Sequence, residues 1–308
     1  MVSRSLKIVV MGLDNAGKTS ILLSIAREYD PLKIKPTLGA DHSLIDVLGF
    51  KLTRLDLGGQ TEYRKTYLDD NSDLLTNTDL LIYVIDIQDE ARFSESVSYF
   101  GDILKYYDKQ DETPQVVIYL HKSDPEYIKN PAGQKAIGDL IYLFKERITR
   151  KLISFFITSI FNRDTLMYAF SQSIFRLFPK PNLINNFLSH LINQHNLDGI
   201  FVYDHNFIHI GSALVDDPAR SHAILQALHR IYMLFEALVK VSEEGYNLTI
   251  DLQKKESIFD LGFSFRKVLL HDSPLYVVLS GREIANPDPL LEELSQKFEA
   301  LKSELSEE

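Results

Sequence analysis

The sequence predicts an α/β architecture: a doubly wound, mostly parallel sheet over residues 1–180, followed by a smaller α+β domain over 185–308. Three observations carry this. Up to about residue 180 short apolar runs alternate with helix-length segments, the order in which crossover helices build a parallel sheet. The stretch "PKPN" at 179–182 then sets two prolines close together, which ends a helix and favours an extended link. Beyond it strand-like runs come in neighbouring pairs with the helices set apart, the order of an α+β domain.

In the first region the strand runs are 7–11, 43–48, 51–57, 80–87, 115–120 and 155–160, and helix-length segments cover 17–28, 90–107, 131–148 and 164–178. Doubly wound sheets bind ligands at the carboxyl ends of their strands, where "GLDNAGKT", "DLGGQ", "HKSD" and "TSIF" all fall. In the second region a helix at 185–195 leads to strand runs at 199–204 and 207–214, joined by a short turn at His205–Asn206. Asp216 and Asp217 then cap a helix over 218–244, with Pro218 in its first turn and Gly245 at its end. Three further strand runs (246–252, 257–263, 275–281) precede an acidic helix from about 288. On helix 218–244, Ile224, Leu228, Ile231, Phe235 and Leu238 recur at spacings of four and three, and Leu225, Tyr232, Leu234, Val239 and Val241 widen the stripe. One face packs on the domain's own sheet; the remainder meets a second chain or is buried within the monomer.

Composition narrows the chemistry. The 33 basic and 43 acidic side chains leave a net charge of -10, which excludes broad attraction to nucleic acid or anionic lipid, so any phosphate must be held locally. The absence of cysteine excludes disulfides, thiolate catalysis, prenylation and palmitoylation, and Val2 removes N-myristoylation, so no direct lipid anchor is expected. Six residues before the first strand leave no room for a signal peptide, and the apolar runs are too short to span a bilayer; the expected compartment is the cytoplasm.

The string "GLDNAGKT" fits G-x-x-x-x-G-K-[ST] with Gly12, Gly17, Lys18 and Thr19, after an apolar β-branched run and before a helical pattern. Backbone N–H groups of Asn15, Ala16, Gly17, Lys18 and Thr19 would meet phosphates at a helix N-terminus, with Ser20 completing the set. Lys18 would reach the β and γ phosphates and the Thr19 hydroxyl would ligate Mg²⁺. In "RLDLGGQ", Asp56 at a strand end suits Mg²⁺, usually through a water. Gly59 lets its N–H approach a γ-phosphate closely, and Gln60 can orient an attacking water. In "HKSD", Asp124 can accept from both N1–H and N2–H of guanine, a donor pair that adenine lacks, and so selects GTP over ATP. Lys122 would lay its stem along the base, and Ser159 and Ile160 would offer N–H groups to the guanine oxygen. His121 joins this set, against a plainer reading as a satisfied loop histidine.

These motifs, in this order, resemble the small GTPases of the Ras superfamily. "GLDNAGKTSIL" and "LDLGGQ" are similar to Arf and Rag/Gtr proteins, while "HKSD", "TLGADHS" (37–43), the stretch 47–68 and "TSIFNRDTL" (158–166) resemble the Rag/Gtr branch. The resemblance implies a small GTPase fold followed by a roadblock/longin-like C-terminal domain at 185–308. It makes Thr37 the switch threonine, whose hydroxyl ligates Mg²⁺ and whose N–H reads the γ-phosphate. Leu55 and Phe161 stand where Rag proteins commonly carry Trp, departures that bear on partner surfaces and leave the phosphate chemistry alone.

The expectation is therefore a GTP/GDP switch that hydrolyses GTP slowly with Mg²⁺, with Gln60, Lys18 and Thr37 as the catalytic set and residues 32–43 and 57–70 changing order with the γ-phosphate. No arginine is positioned in cis by sequence, so fast turnover needs a GTPase-activating partner, alongside an exchange protein. The chain would form a homo- or heterodimer through residues 185–308, with a membrane scaffold as a further partner that recruits it to membrane surfaces. Two other readings stand beside this one: a non-hydrolysing GTP-binding scaffold subunit of a heterodimer, and an Arf-like membrane-trafficking GTPase. The sequence offers the last neither an amphipathic N-terminal helix nor lipid-acceptor residues.

Overall fold

The computed structural model of the chain describes residues 6–26, 28–32, 35, 37, 39–47, 50–69, 73–148, 153–177, 181–228, 248–252, 261–270, 273–282, 284 and 286–306. The chain divides into two compact units, Met1–Leu177 and Phe178–Glu308.

The first unit holds a six-stranded sheet of β1 (Leu6–Met11), β2 (Ala40–Val47), β3 (Phe50–Leu57), β4 (Leu80–Asp86), β5 (Gln115–His121) and β6 (Ser154–Ile157), in the order β2-β3-β1-β4-β5-β6. Only the β2–β3 pair is antiparallel; the other neighbours run parallel, as the alternation of runs predicts. Central β4 is buried along Leu80–Ile85 because helices cover both faces, which is why it reads as an unbroken apolar run. The helices are α1 (Lys18–Ile25), α2 (Thr61–Tyr67), α3 (Phe93–Lys109), α4 (Pro125–Lys129), α5 (Pro131–Arg147) and α6 (Arg163–Phe175), with a 3-10 turn at Glu90–Arg92 before α3. Phe100, Ile103 and Tyr107 of α3 join Tyr83, Leu81 and Ile118 of the sheet in one core. Tyr83 donates its hydroxyl proton to Ser96 O at 2.8 Å, so this buried phenol is satisfied.

Helices α2 and α4 are absent from the sequence expectation: at seven and five residues neither is long enough to display a 3.6-residue period. A second correction concerns Leu55. It is fully buried in the core, so its departure from the Rag pattern bears on packing and not on a partner surface, whereas Phe161 is 77% exposed.

The second unit comprises α7 (Pro181–Gln194), β7 (Gly199–Tyr203), β8 (His209–Leu214), a helix α8 over 218–228, β9 (Leu248–Leu252), β10 (Leu261–Leu270), β11 (Ser273–Gly281) and α9 (Asp288–Ser306). Its antiparallel sheet has the order β8-β7-β11-β10-β9. Helix α7 begins at Pro181, inside the stretch expected to link the domains in extended form, because the first helical position tolerates a residue without N–H. Asp217 caps α8 as expected, its Oδ1 accepting from Ala219 N and Arg220 N at 3.1 Å each. Ile224 and Leu228 pack with Phe201, Phe207, Phe263, Phe265 and Tyr276. The expected continuation of this helix, with Ile231, Tyr232, Leu234, Phe235, Leu238, Val239, Val241 and the Gly245 stop, lies outside the described residues, as do 246–247 and 257–260 of the strand runs. β10 runs on to Leu270, seven residues past its expected end: Arg266 and Lys267 break the apolar pattern, but the ladder to β11 pairs every residue from Gly262 to Leu270. Among the described residues no helix is long and apolar enough to cross a membrane.

Candidate functional site

β1 delivers its chain to Gly12 at the carboxyl edge of the sheet, and Gly17 ends the loop as the N-cap of α1 with φ 94. A side chain at Gly17 would be strained at this φ, and its Cβ would lie 2.5 Å from Cδ2 of His121, whose ring rests against the loop. Lys18 folds back over this loop, donating from Nζ to Gly12 O at 3.2 Å and Leu13 O at 2.9 Å, and is only 6% exposed. That burial lowers its pKa to about 8, with Asp56 and Asp14 pulling the other way.

Thr19 on α1, Thr37 in the loop before β2 and Asp56 near the end of β3 converge. Thr19 Oγ1 donates to Asp56 Oδ2 at 2.6 Å, Thr37 Oγ1 donates to the same oxygen at 3.0 Å, and the two hydroxyls are 2.8 Å apart. Asp56 is 4% exposed and its Oδ1 is buried without a hydrogen-bond partner among the described residues. Three hard oxygen donors, with a carboxylate oxygen left unsatisfied, fit a Mg²⁺ ion and fit no thiophilic metal.

Gly59 docks on the phosphate loop: Asp14 N–H donates to Gly59 O at 3.1 Å, and a Cβ at Gly59 would stand 2.2 Å from Asp14 N. Gly58 N–H meanwhile donates to Gly39 O at 2.8 Å, tying the segment after β3 to the one before β2. Gln60 caps α2, and its Oε1 is buried without a partner among the described residues. A cavity of about 340 Å³ lies between these parts, lined by Asn15, Gly17, Lys18, Thr19, Ser20, Thr37, Gly59 and Gln60. Asp14 and Lys35 line it too, and sequence reasoning singled out neither.

His121, Lys122, Asp124 and Ser159 form a second cluster at the ends of β5 and β6. His121 is the last residue of β5, 1% exposed, with Nδ1 3.0 Å from Thr158 Oγ1; burial drives its pKa down to about 4, so it stays neutral. Lys122 takes φ 58, an unusual conformation for a side-chain-bearing residue, and its Nζ pairs with Asp86 Oδ2 at 2.7 Å. Both oxygens of Asp124 are held: Ser159 Oγ donates to Oδ1 at 2.6 Å and Gln88 Nε2 to Oδ2 at 3.1 Å. Ser159 thus acts through its hydroxyl, while its N–H lies 3.3 Å from Thr165 Oγ1; Ile160 follows in the same turn. Gln88 also donates to Lys122 O at 2.7 Å. Sequence reasoning names neither Gln88 nor Asp86, although Asp86 falls within the strand run 80–87 and ends β4 at the sheet's carboxyl edge. Among the described residues no cluster of His, Asp and Glu could hold a metal by side chains of those types alone. His222, paired with Gln226 at 2.9 Å, belongs to no site, and His229 lies outside the described residues.

The chain is similar to several known proteins. The family model for the Gtr1/RagA G protein conserved region matches residues 7–231. The chain is similar to the ADP-ribosylation factor-like protein 3 of Caenorhabditis elegans, 36% identical over 122 residues that make up 39% of this chain and 62% of that protein. The Chlamydomonas reinhardtii protein of the same description is 38% identical over 121 residues, 38% of this chain and 63% of that one. The chain thus spans somewhat over three-fifths of the length of these curated relatives. Among solved structures, the small GTPase Arl6 (BBS3) of Trypanosoma brucei, with the nucleotide analogue GppNp bound, shares 24% identity, covering 56% of this chain and 98% of that one at a TM-score of 0.43.

Proposed function

The chain belongs to the Gtr1/RagA G-protein family, and from that premise we propose that it is a guanine-nucleotide switch that hydrolyses GTP to GDP and phosphate with Mg²⁺. The observation that carries the proposal is the convergence of Thr19, Thr37 and Asp56 beside Lys18, Gln60 and the amide loop of one cavity. Amides of residues 15–19 bind the phosphate chain, and Lys18 neutralises the β and γ oxygens. Mg²⁺, held by Thr19, Thr37 and through Asp56, supplies charge neutralisation at those oxygens when bound. Gln60 orients a water for in-line attack on the γ-phosphorus; the new P–O bond forms as the bond to the β–γ bridging oxygen breaks, and the water's proton passes to phosphate. Asp124, its carboxylate oriented by Ser159 and Gln88, reads N1–H and N2–H of guanine.

The antiparallel α+β second unit is compatible with a roadblock-like domain that dimerises with a like chain or docks on a membrane scaffold, which keeps the protein cytoplasmic until a partner recruits it. Activating and exchange proteins complete the cycle. Similarity to ADP-ribosylation factor-like proteins supports a second reading, an Arf-like trafficking switch. Single-turnover hydrolysis tests the proposal: Gln60→Leu should slow it at least about tenfold with GDP affinity retained. An unchanged rate would favour a non-hydrolysing scaffold, and failure of the stripped protein to bind GDP or GTP would overturn the switch altogether.

A further inference from the structure

Asp14 is an awkward residue to find lining a phosphate cavity, since its carboxylate repels the proposed ligand. The structure answers that charge with a chain of ion pairs. Arg92 Nη2 donates to Asp14 Oδ1 at 2.7 Å, and Arg92 Nε donates to Glu95 Oε2 at 3.0 Å. The other oxygen, Glu95 Oε1, accepts from Arg64 Nη2 at 2.7 Å. Arg64 also donates to Thr61 Oγ1 at 2.8 Å, and its guanidinium lies 5.1 Å from the centroid of the Tyr99 ring. Backbone bonds close the figure: Arg64 N–H donates to Gln60 O and Asp14 N–H to Gly59 O, both at 3.1 Å. Asp14, Arg92, Glu95, Arg64, Gln60 and Gly59 therefore form a ring through the phosphate loop, the start of α3 and α2, with the residue proposed to orient water inside it.

A partly exposed Arg92–Glu95 pair three residues apart would by itself contribute little. Arg64 is different, because it is 8% exposed, and a guanidinium buried to that extent needs its carboxylate. Two carboxylates and two guanidiniums also balance, so Asp14 adds no net charge to the cavity. The paired arginines hold the carboxyls of Asp14 and Glu95 below their ordinary range.

We infer that Glu95 is a positioning residue: by bridging Arg92 and Arg64 it seats α2 on the phosphate loop and sets Gln60 at the cavity. The inference rests on the GTPase reading above. Its test is Glu95→Gln, which keeps size and shape and removes the charge, with Glu95→Ala as the second variant and thermal unfolding as the check on folding. The expected result is a loss of about fivefold or more in single-turnover GTP hydrolysis with the GDP dissociation constant within about twofold of wild type. The loss should vanish in a Gln60→Ala background, since a residue acting through Gln60 has nothing left to position. Hydrogen exchange of amides 57–67 should be faster in Glu95→Gln with or without nucleotide. A wild-type rate, or the same fractional loss in the Gln60→Ala background, would overturn the inference. If wild-type protein binds no guanine nucleotide, the GTPase reading falls, and exchange decides the ring separately: unchanged exchange overturns it, and faster exchange upholds the seating of α2.

Discussion

Raising the pH from 7 to 8.5 should weaken GDP binding through one group, the Lys18 ammonium. It is buried, its Nζ faces Gly12 O and Leu13 O, and desolvation brings its pKa from 10.5 to about 8. Phosphate oxygens entering the cavity supply negative charge in place of the hydration that burial removed, so nucleotide binds the protonated form and raises the pKa again. The sign follows: affinity is nearly full at pH 7 and below and declines as the pH rises through the nucleotide-free pKa, because a proton must then be taken up on binding. With that pKa the protonated fraction is about 0.9 at pH 7 and about 0.25 at pH 8.5, a loss of about fourfold in affinity, or roughly 1 kcal/mol. Calorimetric titration with GDP in two buffers of different ionisation heat reads the proton count directly, expected at about 0.1 per GDP at pH 7 and about 0.75 at pH 8.5. Stopping there keeps clear of ionisation of the guanine N1–H itself. A count near zero at pH 8.5 would refute the reasoning, since a lysine of ordinary pKa is already charged before nucleotide arrives.

Three further outcomes follow from the same geometry. Gly59→Ala puts a methyl 2.2 Å from Asp14 N and 2.3 Å from Leu13 C, atoms of the backbone that cannot swing away. It should break the Asp14–Gly59 bond and cut GTP affinity about tenfold while changing GDP affinity less, as read by competition with a fluorescent nucleotide; parallel changes in both would count against a γ-phosphate role. Asp124→Asn should lower GDP affinity by about a hundredfold or more and favour xanthosine diphosphate, whose changed ring edge suits an amide; undiminished GDP binding would sink the assignment of the base-reading carboxylate. His121, neutral in the fold with a pKa of about 4, is protonated more readily in the unfolded chain, so stability present above pH 6.5 is lost as the pH falls through that window. Denaturant midpoints should show a loss of about 1 kcal/mol by pH 5.5 that His121→Gln reduces, and an identical acid slope in the variant would contradict it.

What could be read from the chain alone was the chemistry that sits within one turn of sequence. Gly12, Gly17, Lys18 and Thr19 are neighbours, and a strand, a glycine turn and a helix start leave few other uses for them. Asp56 came through its place at a strand end and Thr37 through the resemblance, and their meeting at 3.0 Å is a property of β3 lying between β1 and β2. Charged side chains on α2 and α3 carried no such signal. Nothing in the pattern sets Arg64, Arg92 and Glu95 apart from other charged residues, because it cannot tell a partner 31 residues away, as for Arg64 and Glu95, or 78 away, as for Arg92 and Asp14. Gln88 was silent for the same reason, being an ordinary polar residue until β4 and β5 bring it to Asp124. The short helices α2 and α4 escaped because they are too brief to show a period, the start of α7 because Pro181 also fits a first helical position, and the length of β10 because pairing with β11 decides it.

The phosphate loop is gripped from two sides at distances that admit no Cβ. His121 presses on Gly17 from the base-reading end, and Gly59 presses on Asp14 from the α2 end. A signal from a γ-phosphate can leave the loop through these contacts as well as through Thr19 and Thr37, and the two differ in kind. His121 is a buried neutral ring hydrogen-bonded to the equally buried Thr158. Gly59 and Gln60 precede a seven-residue helix attached to α3 through Arg64 and Glu95 and anchored in the apolar core by Tyr67, so any reseating of this helix repacks that tyrosine. Asp14 meets the backbone of Gly59 directly and is linked to α2 a second time through Arg92, Glu95 and Arg64. The GTP-dependent change is therefore expected to run through Asp14 into α2, and the base-reading end to stay fixed.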